Sequence, residues 1–418
     1  MSLFRKYCHV GENRCRTLRG IRPKWRIPQE HGDPRKNSLA CLNKHRGSNV
    51  LEEIVSRIEN DEPISRQEGL FLLREAPLAT LASLAQLVRF RHNSEPVVTF
   101  AIDTNPNYTN ICDVRCTFCA FNRKEADPDA YADTVAQAME KIERATARGA
   151  TTILLQGGLN PNLAFDYYVD LVKTTRDRFP QIHLHFFSAP EIQKMSKVSG
   201  LSLSDVLQRL KDVGLRTLPG GGAEILSDKV RQQLSPKFPK AKSADWIEVH
   251  RQAHKLGYRT TATMMYGHVE DDEDIIEHLD QIRMLQAETG GFTAFIPWSY
   301  KRESNPLGKR VKAEAGPNRY LKIIAVSRIF LHNFQHIQAS WFSEGKNTGQ
   351  VALHFGADDF GGTILEEDVM QCAGFYNRAT VDNVVSLIQD AGFTPAQRTT
   401  LYDILRYFSP TMSSAGMA

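Results

Sequence analysis

The sequence predicts an α/β protein built as a (β/α)8 barrel of the TIM type, with a helical segment before the barrel and a helical extension after it. From Val97 onward, short β-branched runs alternate with longer amphipathic stretches, as in successive βα units. Eight such units can be counted, which favours a closed barrel over an open sheet. Gly149, Gly214 and Gly257 follow three of the amphipathic stretches, where the glycine that ends a helix is expected.

Four segments follow one another along the chain. Residues 1–48 hold twelve Lys or Arg and only three Asp or Glu, which predicts a basic tail that is disordered or that precedes the true start. An organelle transit peptide is the alternative for this tail. Residues 49–96 are predicted to be helical, because residues 65–68 have the S-x-x-E capping-box form and open an apolar run. The barrel is predicted over 97–360, and residues 361–418 form an extension that packs on it.

The active site of a barrel lies on the loops after the C-terminal ends of its strands. Polar or glycine-rich residues follow most of the predicted strands, so we expect the site there. The predicted strands lie near 97–102, 151–155, 182–187, 215–218, 259–265, 292–296, 338–342 and 352–356. The predicted helices lie near 131–148, 163–178, 203–213, 243–256, 272–288 and 317–333.

Composition argues against several classes of protein. Outside residues 1–48 the charge balance is slightly acidic, without the basic, aromatic-studded face of a nucleic-acid-binding protein. The longest apolar runs, such as 151–155, are far shorter than the roughly 20 residues of a membrane span. Seven cysteines, three of them within eight residues, do not resemble an extracellular disulfide framework. We therefore expect a cytoplasmic protein with no membrane and no nucleic-acid partner.

Three cysteines, Cys112, Cys116 and Cys119, follow the first predicted strand. Their C-x-x-x-C-x-x-C spacing suits three corners of a cubane 4Fe–4S cluster and leaves the fourth iron open to another ligand. Zinc usually takes four ligands, and no second C-x-x-C pair follows. An electron carrier would normally fill the fourth iron site with another cysteine, but the remaining cysteines, including Cys372, are distant in sequence. The three cysteines are therefore the predicted metal ligands.

Polar and glycine residues after the next strands are candidates for binding a cofactor. Glycine after the second strand lets the backbone approach a ligand closely, although an ordinary βα turn is the alternative. Acidic and hydroxyl side chains after the third and fourth strands lie at the rim of the barrel, where they could contact a bound cofactor, but Ser188 and Glu191 also have capping-box spacing. The predicted cofactor-binding residues are Gln156, Gly157, Gly158, Ser188, Glu191 and Glu224.

The third predicted strand carries a pair of alternating histidines. His183 and His185 would point to the same side of the sheet, and such pairs sometimes bind catalytic zinc in barrels. This interpretation, a metal-dependent TIM-barrel hydrolase, needs further ligands on later strands and leaves the three cysteines unexplained. Histidines that pack in the barrel or face a substrate are the simpler interpretation.

From Asn49 to about Leu405 the sequence resembles the cyclic dehypoxanthine futalosine synthase family of the radical S-adenosylmethionine (SAM) superfamily. The matching blocks include Asn107 to Cys112, Cys116 to Phe121, Pro219 to Leu226, Thr261 to His268, Phe292 to Trp298 and Ala357 to Thr363. Sister families, aminofutalosine synthase and the deazaflavin synthase components, share the cysteine loop and the glycine run. The Met-Met-Tyr-Gly-His, Ile-Pro-Trp and Ala-Asp-Asp-Phe-Gly-Gly blocks resemble the cyclase instead.

This resemblance implies a barrel of the radical SAM kind, with a 4Fe–4S cluster and SAM as cofactors. It also implies a reaction in the futalosine route to menaquinone. The 5′-deoxyadenosyl radical would take hydrogen from C4′ of the sugar of dehypoxanthine futalosine, and the sugar radical would add to the benzoate ring. Loss of one proton and one electron would then restore aromaticity. The implied partners are this small-molecule substrate and an electron-donor protein such as flavodoxin or ferredoxin.

The final deprotonation needs a base that reaches the ring proton directly or through one water. His268 is the preferred candidate because imidazole titrates near neutrality without a large pKa shift. Arg123 and Arg302, in strand-end loops, are candidates for binding the benzoate carboxylate. The predicted catalytic residues are His268, Tyr266, Glu224 and Asp359.

Overall fold

The structure, a computed structural model, describes residues 49–237, 241–365, 368–374 and 376–408. The predicted basic tail at 1–48 lies outside the described residues. The described residues from Leu51 onward form one compact unit. Within the described part of the chain, no helix is both long enough and apolar enough to cross a membrane.

Three helices precede the first strand, as predicted. They are α1 over residues 49–59, α2 over Arg66–Glu75 and α3 over Leu78–His92. Helix α2 begins at the predicted capping box, where the Glu68 backbone N–H donates to Ser65 Oγ (3.3 Å) and the Ser65 N–H donates to Glu68 Oε2 (2.7 Å).

Parallel strands surround the interior of the barrel. The strands are β1 Val97–Ala101, β2 Asp103–Thr104, β3 Thr152–Leu155, β4 His183–Phe186, β5 Thr217–Leu218, β6 Arg259–Tyr266, β7 Phe292–Ser299, β8 His336–Ile337 and β9 Asp359–Gly362. Strands β2 to β8 form one curled parallel sheet in chain order. Strand β9 pairs with β1, and β1 leads directly into β2 at one edge of this sheet. At the other edge, a parallel bridge joins Asp359 of β9 to Gln338, the residue after β8. The predicted barrel is therefore confirmed, with β1 and β2 counted as one strand position.

The helices that follow the strands are α4 Val135–Ala147, α5 Phe165–Arg178, α6 Ala189–Ser199, α7 Leu203–Asp212, α8 Asp228–Leu234, α9 Ser243–Lys255, α10 Asp272–Thr289, α11 Pro317–Phe330, α12 Trp341–Glu344 and α13 Lys346–Ala352. The six predicted helices correspond to α4, α5, α7, α9, α10 and α11 and begin and end close to their predicted bounds. The sequence analysis did not predict α6, α8, α12 and α13. Gly149 and Gly214, which follow α4 and α7, have φ values of 90° and 116°. Glycine adopts this left-handed conformation without the Cβ clash of other residues, so the predicted helix ends are confirmed.

The last two predicted strands are wrong in position. The strand predicted over 338–342 is β8, which ends at Ile337, and the helix α12 begins at Trp341. The run 352–356 is not a strand, because it lies at the end of α13 and in the 3-10 turn Leu353–Phe355. Short apolar runs do not distinguish a strand from a buried helical turn. The eighth strand is β9, whose two glycines are unfavourable in strands.

The extension contains strands that the sequence analysis did not predict. After β9 come α14 Val369–Cys372, α15 Val381–Asp390, β10 Thr394–Arg398 and β11 Ile404–Tyr407. Strand β10 pairs in parallel with β1 and antiparallel with β11. Residues 398–402, at the end of β10 and before β11, cross the N-terminal end of the barrel, and we call them the floor segment. Thr400 Oγ1 lies 3.2 Å from Thr152 Oγ1 at the start of β3, and the Tyr402 ring stacks on His336 at the start of β8.

Candidate functional site

A cavity of about 280 Å³ lies inside the barrel and is bounded below by the floor segment. This volume is close to the lower limit of small-molecule sites in proteins. The wall is formed by residues at the strand ends and by the floor segment. Its charged, histidine and larger aromatic side chains include Asp103, His185, Glu224, Trp298, Arg398 and Tyr402. The interior of the barrel therefore offers both polar and aromatic contacts to a small molecule.

The three predicted metal ligands lie together on the loop after β2. Cys112, Cys116 and Cys119 are not joined in disulfides and are partly buried. The Cys119 N–H donates to the Cys116 carbonyl oxygen (3.1 Å), which forms a tight turn between them. Burial raises the pKa of the Cys119 thiol. In the described ranges, no group of three or more Cys, His, Asp or Glu side chains is arranged to hold a single metal ion.

The donor set nevertheless fits three corners of a 4Fe–4S cluster. Three uncrosslinked thiols lie on one short loop, and Ser235 Oγ lies 3.6 Å from Cys116 Sγ. A cluster held by three thiolates keeps one iron open for a further ligand. Cys116 and Phe118 also line a small hollow whose wall includes Glu224, a residue of the main cavity. The cysteine loop and the cavity therefore have Glu224 in common.

The predicted glycine turn packs directly against the cysteine loop. The Gly158 N–H donates to the Thr109 carbonyl oxygen (2.8 Å), and a Cβ at Gly158 would overlap the carbonyl oxygen of Ile111. Only glycine permits this approach. Gln156 lines the cavity, with its side chain against Gly221. The turn thus supports the residue next to Cys112 and contributes one side chain to the cavity.

Ser188 and Glu191 are buried and form a hydrogen-bonded capping box at the start of α6. Glu191 Oε1 accepts hydrogen bonds from Tyr108 Oη (2.6 Å) and the Gly157 N–H (3.0 Å). Its Oε2 accepts from the Ser188 N–H (2.7 Å) and Oγ (2.5 Å). Burial raises the pKa of the Glu191 carboxyl, although these hydrogen bonds oppose the shift. Both carboxylate oxygens are occupied, and neither residue lines the cavity, so the structure favours the helix-capping interpretation for both.

Glu224 follows β5 in a conformation that is uncommon for a side-chain-bearing residue. Its φ is 42°, in the left-handed region, and its backbone oxygen accepts the Met265 N–H (2.7 Å). Such conformations cost about 1 kcal/mol or more and tend to occur at functional sites. Of the four predicted catalytic residues, Glu224 is the one that lines the cavity.

Tyr266 and His268 are held away from the cavity. Tyr266 Oη donates to Glu344 Oε1 (3.0 Å). The His268 side chain has no exposed surface, its Nε2 donates to the Met265 carbonyl oxygen (3.1 Å) and its Nδ1 lies 2.7 Å from the Val269 nitrogen. Because both ring nitrogens have protein partners, the preference for His268 as the base is not supported. The rule that the active site of a barrel lies on the loops after its strands, which we call the strand-end rule, identifies the correct loop but not which side chains point inward.

Asp359 is buried and forms an ion pair with Arg398. Arg398 lines the cavity, whereas Asp359 does not. Arg398 donates from Nε (2.5 Å) and Nη2 (2.9 Å) to the two carboxylate oxygens, and Thr99 Oγ1 also donates to Oδ2 (2.6 Å). Burial opposes the charge of Arg398, but Asp359 outweighs this effect and the pKa of the guanidinium is raised. Asp359 is therefore engaged by the floor segment and does not face the cavity as a free base.

The two predicted arginines are not in the cavity wall. Arg123 Nε donates to Asp129 Oδ2 (2.8 Å), and Arg302 Nη2 lies 3.5 Å from the Gly308 carbonyl oxygen. The cavity arginine, Arg398, was missed because it lies in the extension, where the sequence analysis predicted helices.

Asp103 is a cavity carboxyl that the sequence analysis missed. It lies at the start of β2, where its Oδ1 accepts the Ile364 N–H (2.8 Å). A Cβ at Gly362 would overlap both carboxylate oxygens, so this glycine makes room for the acid. Burial raises the pKa of Asp103 to about 6. It is a polar residue at the end of the first predicted strand, so the strand-end rule could have identified it.

His185 lines the cavity, whereas its predicted companion His183 is not among the lining residues. Thr217 Oγ1 donates to the Leu184 carbonyl oxygen (2.8 Å), so the same hydroxyl accepts from His185 Nδ1 (2.8 Å). This arrangement places the proton on Nδ1 and leaves Nε2 as an acceptor. Burial, reinforced by Arg398, lowers the pKa of His185 to about 3. His185 is therefore a neutral hydrogen-bonding group.

Comparison with known proteins gives the family. The profile of the radical SAM superfamily matches residues 106–282, and the profile of the CofH/MqnC C-terminal region matches residues 289–411. The chain is 38% identical over 358 residues to cyclic dehypoxanthine futalosine synthase of Halalkalibacterium halodurans, which is 86% of this chain and 96% of the relative. The chain belongs to the radical SAM superfamily. Membership implies a 4Fe–4S cluster and SAM as cofactors, and the resemblance found in the sequence is confirmed.

Other radical SAM relatives carry different names. The chain is 40% identical over 316 residues to 5-amino-6-(D-ribitylamino)uracil–L-tyrosine 4-hydroxyphenyl transferase of Methanopyrus kandleri, covering 74% of this chain and 85% of the relative. It is 36% identical over 371 residues to aminodeoxyfutalosine synthase of Streptomyces coelicolor, covering 86% and 95%. The radical SAM family thus establishes the type of chemistry and includes relatives with several substrates.

Solved structures support the radical SAM fold. Methylornithine synthase (PylB) superposes with a TM-score of 0.63 at 19% identity, over 82% of this chain and 97% of that chain. The hydrogenase maturase HydG superposes with a TM-score of 0.67 at 16% identity, over 86% and 79%. At these identities the likeness concerns the fold alone.

Proposed function

We propose that the protein is a cyclic dehypoxanthine futalosine synthase that acts in the futalosine route to menaquinone. The supporting observation is similarity over nearly the whole length of such enzymes, 96% of the H. halodurans relative at 38% identity and 89% of the S. coelicolor relative at 37%. The cofactors would supply the radical that takes hydrogen from C4′ of the sugar. The chain must then position the sugar and the benzoate ring so that they join, and must exclude water meanwhile.

In this proposal Cys112, Cys116 and Cys119 hold the cluster. Gly158 supports their loop through its hydrogen bond to Thr109, as described above. Glu224 lies between the loop and the cavity and is placed to contact SAM, together with Gln156 on the cavity wall. Glu191 would act indirectly, because its carboxylate fixes the Gly157 N–H and Tyr108.

The cavity suits an aromatic substrate with polar substituents. Trp298 and Phe342 line it and offer faces or edges against which a benzoate ring can pack. Glu224 and Asp103 are the carboxyl groups of its wall, and both are placed to accept a proton inside the barrel. We therefore transfer the proposed role of base from His268 to these two residues.

A second candidate is the reaction named for the transferase relatives, which joins 5-amino-6-(D-ribitylamino)uracil to a tyrosine-derived group. The observation that favours it is identity, since three such relatives are 40% identical to the chain. The share of each relative that is matched does not separate the two candidates, since it is 96% for the H. halodurans cyclase and 96% for the transferase of Methanococcoides burtonii. The two candidates are separated by supplying both substrate sets to the same preparation.

The test is anaerobic reconstitution with iron and sulfide, reduction with a chemical reductant, and addition of SAM with each substrate set in turn. If the protein is the cyclase, 5′-deoxyadenosine should form only when dehypoxanthine futalosine is present. Mass spectrometry should then show a product that is lighter than dehypoxanthine futalosine by two hydrogen atoms. Product from ribitylaminouracil and tyrosine alone would replace the cyclase with the transferase. Cys116→Ala should lose the cluster absorbance and the 5′-deoxyadenosine, whereas Cys372→Ala, a matched change at another partly buried cysteine outside any disulfide, should keep both. A chemical reductant also removes any need for the predicted flavodoxin or ferredoxin.

A further inference from the structure

The lower part of the cavity holds two groups that accept hydrogen bonds. One is the Asp103 carboxylate, which accepts hydrogen bonds from the Ile364 N–H on Oδ1 and from its own backbone N–H. The other is His185 Nε2, since the hydrogen bond to Thr217 retains the ring proton on Nδ1. A carboxylate has about four acceptor positions, so Asp103 retains capacity for a ligand. Both residues line the same cavity.

The cation next to these acceptors is already engaged. Arg398 directs Nε and Nη2 to Asp359, and its Nη1 donates to the Thr399 carbonyl oxygen (3.1 Å). The hydroxyls of Thr152 and Thr400, also in the wall, lie 3.2 Å apart and pair with each other. A ligand that carries several hydroxyl donors suits this end of the cavity, whereas a carboxylate would meet the Asp103 carboxylate.

We propose that the end of the cavity above the floor segment is a subsite for the polyhydroxylated part of the substrate, where Asp103 and His185 Nε2 accept hydrogen bonds from neighbouring hydroxyl groups. Thr217 is a positioning residue, because it fixes the tautomer of His185 without lining the cavity. The aromatic ring then lies toward Trp298 and Phe342, and of the two proposed bases Glu224 is the one that this arrangement retains for the ring proton. This assignment rests on the proposed function in one respect, namely that the hydroxyls belong to the sugar of dehypoxanthine futalosine.

The charged and titratable groups that face Asp103 come from three elements. They are Arg398 at the end of β10, Asp359 at the start of β9 and, along the same cavity wall, His185 on β4. Arg398 favours the ionised form of Asp103 and Asp359 disfavours it, while burial has the largest influence on the pKa of Asp103.

The experiment measures binding without chemistry. The anaerobic, reconstituted and unreduced holoenzyme with SAM is titrated calorimetrically with dehypoxanthine futalosine and with a 3-substituted benzoate that lacks the sugar. The variants are Asp103→Asn, which removes the charge at constant shape, and Thr217→Val, which removes the acceptor for His185 Nδ1. Thr175→Val is the matched control, because this buried hydroxyl donates to the Leu171 carbonyl oxygen (2.7 Å) within α5 and does not line the cavity. Circular dichroism verifies folding.

We expect Asp103→Asn and Thr217→Val each to weaken binding of dehypoxanthine futalosine about ten- to hundred-fold, the usual range for a hydrogen bond to a charged or buried partner. Binding of the sugar-free benzoate should not change, and the control should behave as wild type. Equal weakening of both ligands, or no weakening of either, overturns the subsite. If wild type neither binds nor converts dehypoxanthine futalosine, the proposed function fails and the same variants are titrated with 5-amino-6-(D-ribitylamino)uracil, which carries a polyol chain. Lack of binding by wild type, or lack of a ten-fold loss in the variants, then overturns the subsite as well.

Discussion

Asp103→Asn is expected to make the folded protein more stable at pH 8, even though the proposed subsite predicts weaker substrate binding by the same variant. Burial raises the pKa of Asp103 from 3.8 to about 6, which means that the folded state disfavours the charged carboxylate. A difference of about two pKa units corresponds to about 3 kcal/mol at a pH above both values. Asparagine has the same shape, keeps an oxygen for the Ile364 N–H and carries no charge, so this cost should disappear.

The pH dependence distinguishes this cause from a general change in packing. Above pH 6 the carboxyl is ionised in both states, and wild type bears the full cost of the buried charge. As the pH falls from 6 toward 3.8, the folded state takes up a proton before the unfolded state does, so wild type gains stability relative to the variant. The advantage of Asp103→Asn should therefore be about 3 kcal/mol at pH 8 and close to zero near pH 4.

Urea denaturation of both proteins, followed by far-ultraviolet circular dichroism at pH 8 and near pH 4.5, provides the measurement. The midpoint of the variant should be higher at pH 8, and the two midpoints should approach each other at the lower pH. A variant that is less stable at pH 8, or one whose advantage is the same at both pH values, would refute the reasoning.

Three further substitutions test other parts of the site. Gly158→Ala places a Cβ against the carbonyl oxygen of Ile111, so reconstituted protein should hold less iron and show weaker cluster absorbance than wild type; full iron content would show that the close packing is dispensable. His268→Gln should still form the cyclised product at a rate within a few-fold of wild type, because the imidazole is buried away from the cavity, and accumulation of 5′-deoxyadenosine without product would restore it as the base. Asp359→Asn leaves Arg398 buried without its counter-ion and should lower stability by about 3–5 kcal/mol in urea denaturation, whereas an unchanged midpoint would mean that solvent reaches the guanidinium.

The cysteine loop and the glycine turn were predictable because their chemistry depends on close spacing in sequence. Three thiols within eight residues share a loop in any fold. The capping box of Ser188 and Glu191 is equally local, and the structure contains it. The strand-end rule also succeeded for Glu224, which follows β5 and lines the cavity.

The side chains that line the cavity were harder to predict, because they depend on the direction in which each side chain points and on the pairing of strands that are distant in sequence. Tyr266 and Glu224 both follow strands, yet Tyr266 turns outward to Glu344. Arg398 reaches the cavity because β10 pairs with β1, nearly 300 residues earlier in the chain. The short β10 contains Pro395, which is unfavourable within a strand, so no local pattern indicated this pairing.

The cysteine loop and the floor segment belong to different stretches of the chain, one within residues 106–282 and the other within 289–411. Substitutions in the floor segment alter the lower wall of the cavity without touching the loop that bears the three thiols. Directed evolution of the proposed subsite can accordingly include libraries at residues 398–402, which leave the residues of the cysteine loop unchanged.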